Sequence, residues 1–201
     1  VKTGYFFFII QILLFSAIYV VTARFGLSLS PVSTFATYVW IPTGMSLVLL
    51  FLFGLRFWPA ITLGALLANF LTGAPFVTAL GISAGNTLEA VMGAYFLRLL
   101  GFRSSLKRLR DVVVLLFVAA GLSTVISATI GVGTLVLTNV VSSSTFLSTW
   151  FTWWLGDMLS DLIIASLLFI WFSKPSLQLN VKEIFEGGFL GLDNISLIDR
   201  S

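Results

Sequence analysis

Two acidic residues stand inside a long apolar run near the end of the chain. Asp157 and Asp161 lie close to the middle of residues 146–172. As a helix rising ~1.5 Å per residue, that run exceeds the ~30 Å of hydrocarbon in a bilayer. An isolated carboxylate at such depth costs at least ~2.5 kcal/mol. Residues i and i+4 share one helix face, so both acids point the same way. The chain therefore has to build a polar interior around them.

The overall composition indicates an integral membrane protein. Apolar residues make up 58% of the chain and charged residues only 9%, whereas a soluble domain carries about a quarter charged residues. The sequence contains neither histidine nor cysteine. That composition excludes imidazole catalysis, thiolate chemistry, zinc-finger-like sites and disulfides. The net charge of +3 does not indicate a nucleic-acid partner, and no cofactor is predicted.

Six apolar runs predict an all-α, polytopic bundle of about six transmembrane helices. Proline stands at the start of three of the runs, where its missing N–H forfeits no helical hydrogen bond. The first run is too long for a typical signal peptide and lacks an Ala-x-Ala site, so we expect it to be retained as a span. The runs cover residues 5–23, 39–55, 59–71, 75–97, 112–137 and 146–172.

The basic residues predict a cytoplasmic N-terminus. With that orientation, only Arg24 falls at an outer helix end, and eight basic residues fall at inner ends, as the positive-inside rule requires. The third run is short, but it must cross the bilayer to keep the basic loop 98–110 inside. The eight inner residues are Lys2, Arg56, Arg98, Arg103, Lys107, Arg108, Arg110 and Lys174.

Three acids without a basic neighbour form the candidate ligand site. Glu89, in the fourth run, joins Asp157 and Asp161 at mid-span, and no Lys or Arg lies at comparable depth. The acids are then protonated, hydrogen-bonded by neutral side chains, or paired with a cationic ligand. A plainer alternative is that they only hold helices together, with the tryptophans forming an aromatic belt. The predicted ligand-binding residues are Asn69, Asn86, Glu89, Trp150, Trp153, Trp154, Asp157 and Asp161.

Small residues recur at four-residue spacing in the third and fourth runs, a pattern that favours close helix packing. Glu89 falls on the second row, so we expect it to face a helix interface. The rows are Ala60, Gly64 and Ala68, and Gly81, Gly85 and Gly93.

The pattern of acids does not indicate an enzyme or a metal site. Intramembrane aspartyl proteases place their two aspartates on different helices, whereas Asp157 and Asp161 share one. The absence of histidine excludes rhomboid-type and zinc-dependent proteolysis. We predict a protein without catalytic residues.

Several short motifs follow one another along the chain in a specific order. They are Trp40-Ile-Pro-Thr-Gly44, Phe57-Trp-Pro59 with Gly64-Ala-Leu-Leu-Ala-Asn69, Gly85-Asn-Thr-Leu-Glu-Ala90, Arg110-Asp-Val112, Ser127-Ala-Thr-Ile-Gly131 and Trp150-Phe-Thr-Trp-Trp-Leu-Gly-Asp157. Together they resemble the MASE1 family, a membrane-associated sensor domain of bacterial signalling proteins, over about residues 5–172.

The resemblance implies a multi-pass sensory module in the bacterial inner (plasma) membrane. Its output would be a histidine kinase, diguanylate cyclase or phosphodiesterase, normally carried in the same chain, and receptors of this kind often act as homodimers. The implied domains are a sensor at residues 1–174 and a short cytoplasmic tail at 175–201. Residues 185–201 resemble a short stretch of bacterial oligosaccharide glucosidases, so we expect a truncated or fused tail.

The predicted mechanism begins with a small polar ligand or a proton entering from the outer side. It would pass between the fourth and sixth runs and engage Asn86, Glu89, Asp157 and Asp161, shifting the sixth run. Two alternatives stay open: a substrate-binding membrane subunit of a small-molecule transporter, and a structural remnant without a ligand. The predicted partners are the lipid bilayer, the unidentified ligand and a second copy of the chain.

Overall fold

A computed structural model describes residues 2–29 and 39–173, and all regular structure in this part of the chain is helical. The predicted all-α membrane helix bundle is confirmed. Six helices follow one another: α1 (Lys2–Leu29), α2 (Ile41–Phe53), α3 (Trp58–Leu71), α4 (Phe76–Leu99), α5 (Leu109–Leu137) and α6 (Ser143–Phe172). A short 3-10 turn, Leu55–Phe57, leads into α3.

The helix starts follow the prolines. Pro42 and Pro59 lie in the first turns of α2 and α3, and Pro75 precedes α4 directly. The first helix, Lys2–Leu29, is longer than the predicted run 5–23 at both ends, and it includes the polar Ser28. The Ser28 hydroxyl donates to the Phe25 carbonyl at 2.7 Å, which satisfies it without ending the helix.

Within the described residues, three helices are long and apolar enough, by length and composition, to cross a membrane: Tyr5–Ser28, Leu109–Leu137 and Ser143–Phe172. The apolar helices α2 and α3 are shorter. Helix α4 is 24 residues long and carries buried Asn86 and Glu89. It packs against α3, α5 and α2, so its polar side chains lie at interfaces with three other helices.

One end of the bundle gathers the basic residues. The Arg56 guanidinium lies 5.3 Å from the centre of the Phe57 ring and 5.8 Å from that of Phe8, near the start of α1. Arg98, at the end of α4, donates to the carbonyls of Leu50 and Phe51 at the end of α2. The ends of α2 and α4 therefore meet the start of α1, as expected for helices that reverse direction in turn.

The small-residue rows lie in helix interfaces. A Cβ atom on Gly64 would lie 2.6 Å from Tyr19 Cβ in α1, and one on Gly85 would lie 3.3 Å from Ile130 Cβ in α5. Backbones can approach this closely only where side chains are absent. The rows thus place α3 against α1 and α4 against α5.

Candidate functional site

A polar centre lies where α2, α4, α5 and α6 come together. Glu89 of α4 and Asp157 and Asp161 of α6 are all buried, with 2%, 0% and 1% of their surfaces exposed. Asn86, about one turn from Glu89, is connected through Ser127 to Trp153, which lies one turn before Asp157. Acids that are far apart in sequence are therefore close together in the fold.

Asp157 is held from across the bundle by the start of α2. The Thr43 hydroxyl donates to Asp157 Oδ1 at 2.8 Å. The Trp40 backbone N–H donates to the Gly156 carbonyl at 3.1 Å, which brings α2 close to α6 at this level. Asp157 Oδ2 is buried and has no hydrogen-bond partner among the described residues. Within the described structure, Oδ1 of Asp157 is therefore hydrogen-bonded and Oδ2 is not.

Asp161 begins a short π-helical segment, Asp161–Ala165, within α6. Such segments interrupt the regular hydrogen-bond ladder and occur often at functional sites. Gly44 of α2 packs directly on this segment, and its N–H donates to the Ser160 hydroxyl at 3.0 Å. Asp161 Oδ1 is also buried without a partner in the described part of the chain. The irregular turn of α6 therefore begins at Asp161, the second acid of this helix.

Glu89 is the least satisfied group of the centre. Both of its carboxyl oxygens are buried and lack a hydrogen-bond partner within residues 2–29 and 39–173. The Ser127 hydroxyl lies nearby, but it donates to Asn86 Oδ1 instead. Buried polar atoms in proteins are almost always paired, and an unpaired buried carboxylate is strongly unfavourable. Glu89 therefore requires a proton or a bound group.

A chain of hydrogen bonds runs beside the acids and connects four helices. Asn86 of α4 donates to the Tyr19 hydroxyl of α1 at 2.8 Å. Its carbonyl oxygen accepts from Ser127 of α5 at 2.8 Å. Ser127 in turn accepts from the Trp153 indole N–H of α6 at 3.1 Å. We call these four residues the Asn86 network.

The other predicted ligand-binding residues form hydrogen bonds or ring contacts with groups of the protein itself. Asn69 donates to the Ala65 carbonyl of its own helix at 2.8 Å, and α3 packs mainly against α1 and α4. Trp150 and Trp154 stack with ring centres 6.0 Å apart. Their indole N–H groups donate to Thr129 and to the Gly121 carbonyl. Ligand binding by these residues, as by Asn86, Glu89, Trp153 and the aspartates, stays a prediction.

Two partners of the centre were absent from the predicted site. Thr43 donates the hydrogen bond to the Asp157 carboxyl group, and Tyr19 ends the Asn86 network. Thr43 did carry a signal, because it lies inside the motif Trp40-Ile-Pro-Thr-Gly44. Tyr19 lies in the middle of an apolar helix, and nothing in the sequence around it indicated a hydrogen-bonding role.

Among the described residues, no group of three or more His, Cys, Asp or Glu side chains is arranged to hold a metal ion. The three acids interact through their charges but do not converge as the ligands of one metal.

Replacing Thr43 by valine should lower the free energy of unfolding by about 1–3 kcal/mol, because Asp157 Oδ1 loses its donor while buried. The measurement is thermal or denaturant unfolding of the purified chain in detergent. Thr124→Val is the matched control, since the buried Thr124 hydroxyl bonds only to carbonyls of its own helix. Equal effects of the two substitutions would contradict a specific role for the Thr43–Asp157 bond.

The comparison with known families adds an independent identification. The MASE1 family matches residues 11–189, whereas no curated protein and no solved structure matches this chain. The predicted domain boundary at residue 174 and the glucosidase-like stretch 185–201 lie outside the described residues. Because the match covers most of the sequence, the chain belongs to MASE1, a family of membrane-associated sensor domains of bacterial signalling proteins.

Proposed function

We propose that this chain is the multi-pass sensing module of a receptor in the bacterial inner membrane, and that its polar centre detects a proton or a small cationic ligand. All six helices would cross the bilayer with the N-terminus in the cytoplasm. A histidine kinase, diguanylate cyclase or phosphodiesterase would carry the output. The observation that carries the proposal is Glu89, whose two carboxyl oxygens are buried and have no hydrogen-bond partner among the described residues.

The charge balance of the centre supports a positively charged partner. Glu89, Asp157 and Asp161 are buried together, and no Lys or Arg side chain pairs with them in the described structure. Helix packing in membranes can use polar side chains, but these are normally satisfied by each other. Open carboxyl oxygens instead favour a site completed by a proton or a cation, and ionisable groups inside a membrane are functional candidates by default.

The route of the signal would start at α6. Binding at Asp157 or Asp161 changes the contacts between α6 and the start of α2, which include the Thr43 hydroxyl and the Gly44 N–H. The last turns of α6, Ser166–Phe172, lie at the basic end of the bundle. A ligand shifts such an equilibrium only by its difference in affinity for the two states. Formation of a homodimer by this chain remains a prediction.

The test is a thermal-shift screen of the purified chain in detergent, against small cationic metabolites and across a pH series. A ligand present at about 100 times its Kd stabilises by about 2.7 kcal/mol, which corresponds to roughly 5–10 °C in a protein of this size. We expect the ligand-induced or pH-induced shift to be lost in Glu89→Gln and in Asp157→Asn.

The matched control is Asp111→Asn. Asp111 is a buried acid too, but it lies at the basic end and accepts from the Arg103 backbone N–H. Its variant should keep the full shift. A shift retained in both Glu89→Gln and Asp157→Asn would refute the polar centre as the sensing site. A screen without any response to cations or to pH would refute the proposed ligand class.

A further inference from the structure

A long apolar groove lies beside the bundle centre, and none of the three acids lines it. It has a volume of about 360 Å³ and lies between α1, α2, α3 and the last turns of α6. Phe15 and Ile18 line it from α1, and Leu168 and Phe172 line it from α6. The volume is within the range of small-molecule binding pockets.

The groove has the length of a lipid chain segment within one leaflet. Along α2 it extends from Pro42 to Phe53, roughly 16 Å at 1.5 Å per residue. That is about half of the ~30 Å hydrocarbon thickness. Its floor is buried, with Val48 2% and Ala60 1% exposed. Its rim, including Phe15 and Met45, is only partly buried, so the groove opens to the side of the bundle.

The lining favours hydrocarbon over water. Tyr19 and Ser46 are its polar members, and the Tyr19 hydroxyl already accepts from Asn86. Apolar cavities stay dry because a water molecule needs two to four polar partners. On the side of a bundle that crosses a membrane, the molecules available to such a groove are lipid chains.

The Arg56 guanidinium lies near the basic end of the groove. Phe53 lines that end, and Phe57 packs edge-on against Phe15 with ring centres 5.7 Å apart. The Arg56 guanidinium lies over Phe57. Among the described residues it makes no hydrogen bond or ion pair, whereas Arg98 donates to two carbonyls. Exposed Arg56 therefore has its hydrogen-bond donors available for a phosphate.

We propose that the groove binds one phospholipid from the leaflet at the basic end of the bundle, with an acyl chain along α2 and the phosphate on Arg56. The hydrophobic lining matches the acyl chain of this molecule, and the Arg56 guanidinium at one end matches its phosphate. The bound chain would contact Tyr19, which joins the groove to the Asn86 network. The proposal does not depend on which ligand the acids take.

The test is photo-crosslinking of the purified chain in nanodiscs of phosphatidylethanolamine and phosphatidylglycerol. A small fraction of the phosphatidylglycerol carries a diazirine in its acyl chain, and adducts are mapped by peptide mass spectrometry. We expect adducts concentrated on Ile41–Phe53. Losing a charge-assisted phosphate contact should reduce them about tenfold in Arg56→Gln.

Met45→Trp provides a second variant, because it fills the groove from its rim without touching the basic end. It should reduce the same adducts to a similar extent. Arg108→Gln removes a basic residue from the loop at the same end and should leave them unchanged. Labelling of Ile41–Phe53 that persists in Arg56→Gln or in Met45→Trp, or uniform labelling of all exposed helix faces, would show ordinary surrounding lipid and overturn the proposal.

Discussion

Gly44→Ala is expected to lower the free energy of unfolding by about 3 kcal/mol. A Cβ atom on Gly44 would lie 2.6 Å from the Ser160 carbonyl oxygen and 2.9 Å from the Ala165 backbone nitrogen. Both neighbours are backbone atoms of α6, so no side chain can turn aside. Overpacking of this kind costs about 1–3 kcal/mol where side chains can adjust, and the upper end applies here. The thermal midpoint in detergent should fall by about 6–12 °C.

Gly133→Ala is the matched control for this prediction. Gly133 lies in α5, and a Cβ atom there would have no neighbour within 4 Å. Alanine is the better helix former by about 1 kcal/mol, so the control should be neutral or stabilising. If both variants melt at the temperature of the unchanged protein, then α2 and α6 do not approach as closely at the π-helical segment as described here.

Ser127→Ala is expected to destabilise the chain by about 2–6 kcal/mol. Ser127 is fully buried and lies in the middle of the Asn86 network, where it donates to Asn86 and accepts from Trp153. Its removal leaves two buried polar groups without partners, at about 1–3 kcal/mol each. Denaturant unfolding in detergent measures the loss.

Ser83→Ala separates this effect from the general loss of a buried hydroxyl. Ser83 is equally buried, but its hydroxyl bonds to the Leu80 carbonyl of its own helix, so we expect a change below about 1 kcal/mol. A double-mutant cycle with Trp153→Phe should show a coupling of about 0.5–3 kcal/mol between Ser127 and Trp153. Strict additivity would argue against the network as a connected unit.

The positions of the acids show how much of the site could be predicted. Glu89, Asp157 and Asp161 stood out because a charge in the middle of an apolar helix is unfavourable wherever the helix packs. The same unfavourable free energy explains why all three acids are buried inside the bundle and do not face lipid. Whether they bind a ligand is a separate matter, which the Glu89→Gln and Asp157→Asn variants test.

The hydrogen-bond partners could not be predicted, because most hydroxyl groups in these helices bond to their own backbone. Thr22 and Thr134 both donate to carbonyls one turn earlier, which is the default for serine and threonine in a helix. Thr43 instead donates across the bundle to Asp157. The motif around Thr43 marks that residue but does not show which group it bonds to, because the partner depends on how near another helix comes.

The amino-acid sequence by itself determined the helices, their starts at prolines, and the burial of three acids. Each of these follows from local properties: the length of an apolar run, a missing N–H, and the cost of a charge away from water. The tertiary structure decided that Thr43 meets Asp157, that Tyr19 closes the Asn86 network, and that α6 turns irregular at Asp161. Those features depend on the rotation and approach of packed helices, which are set by the shapes of all their contacting side chains together.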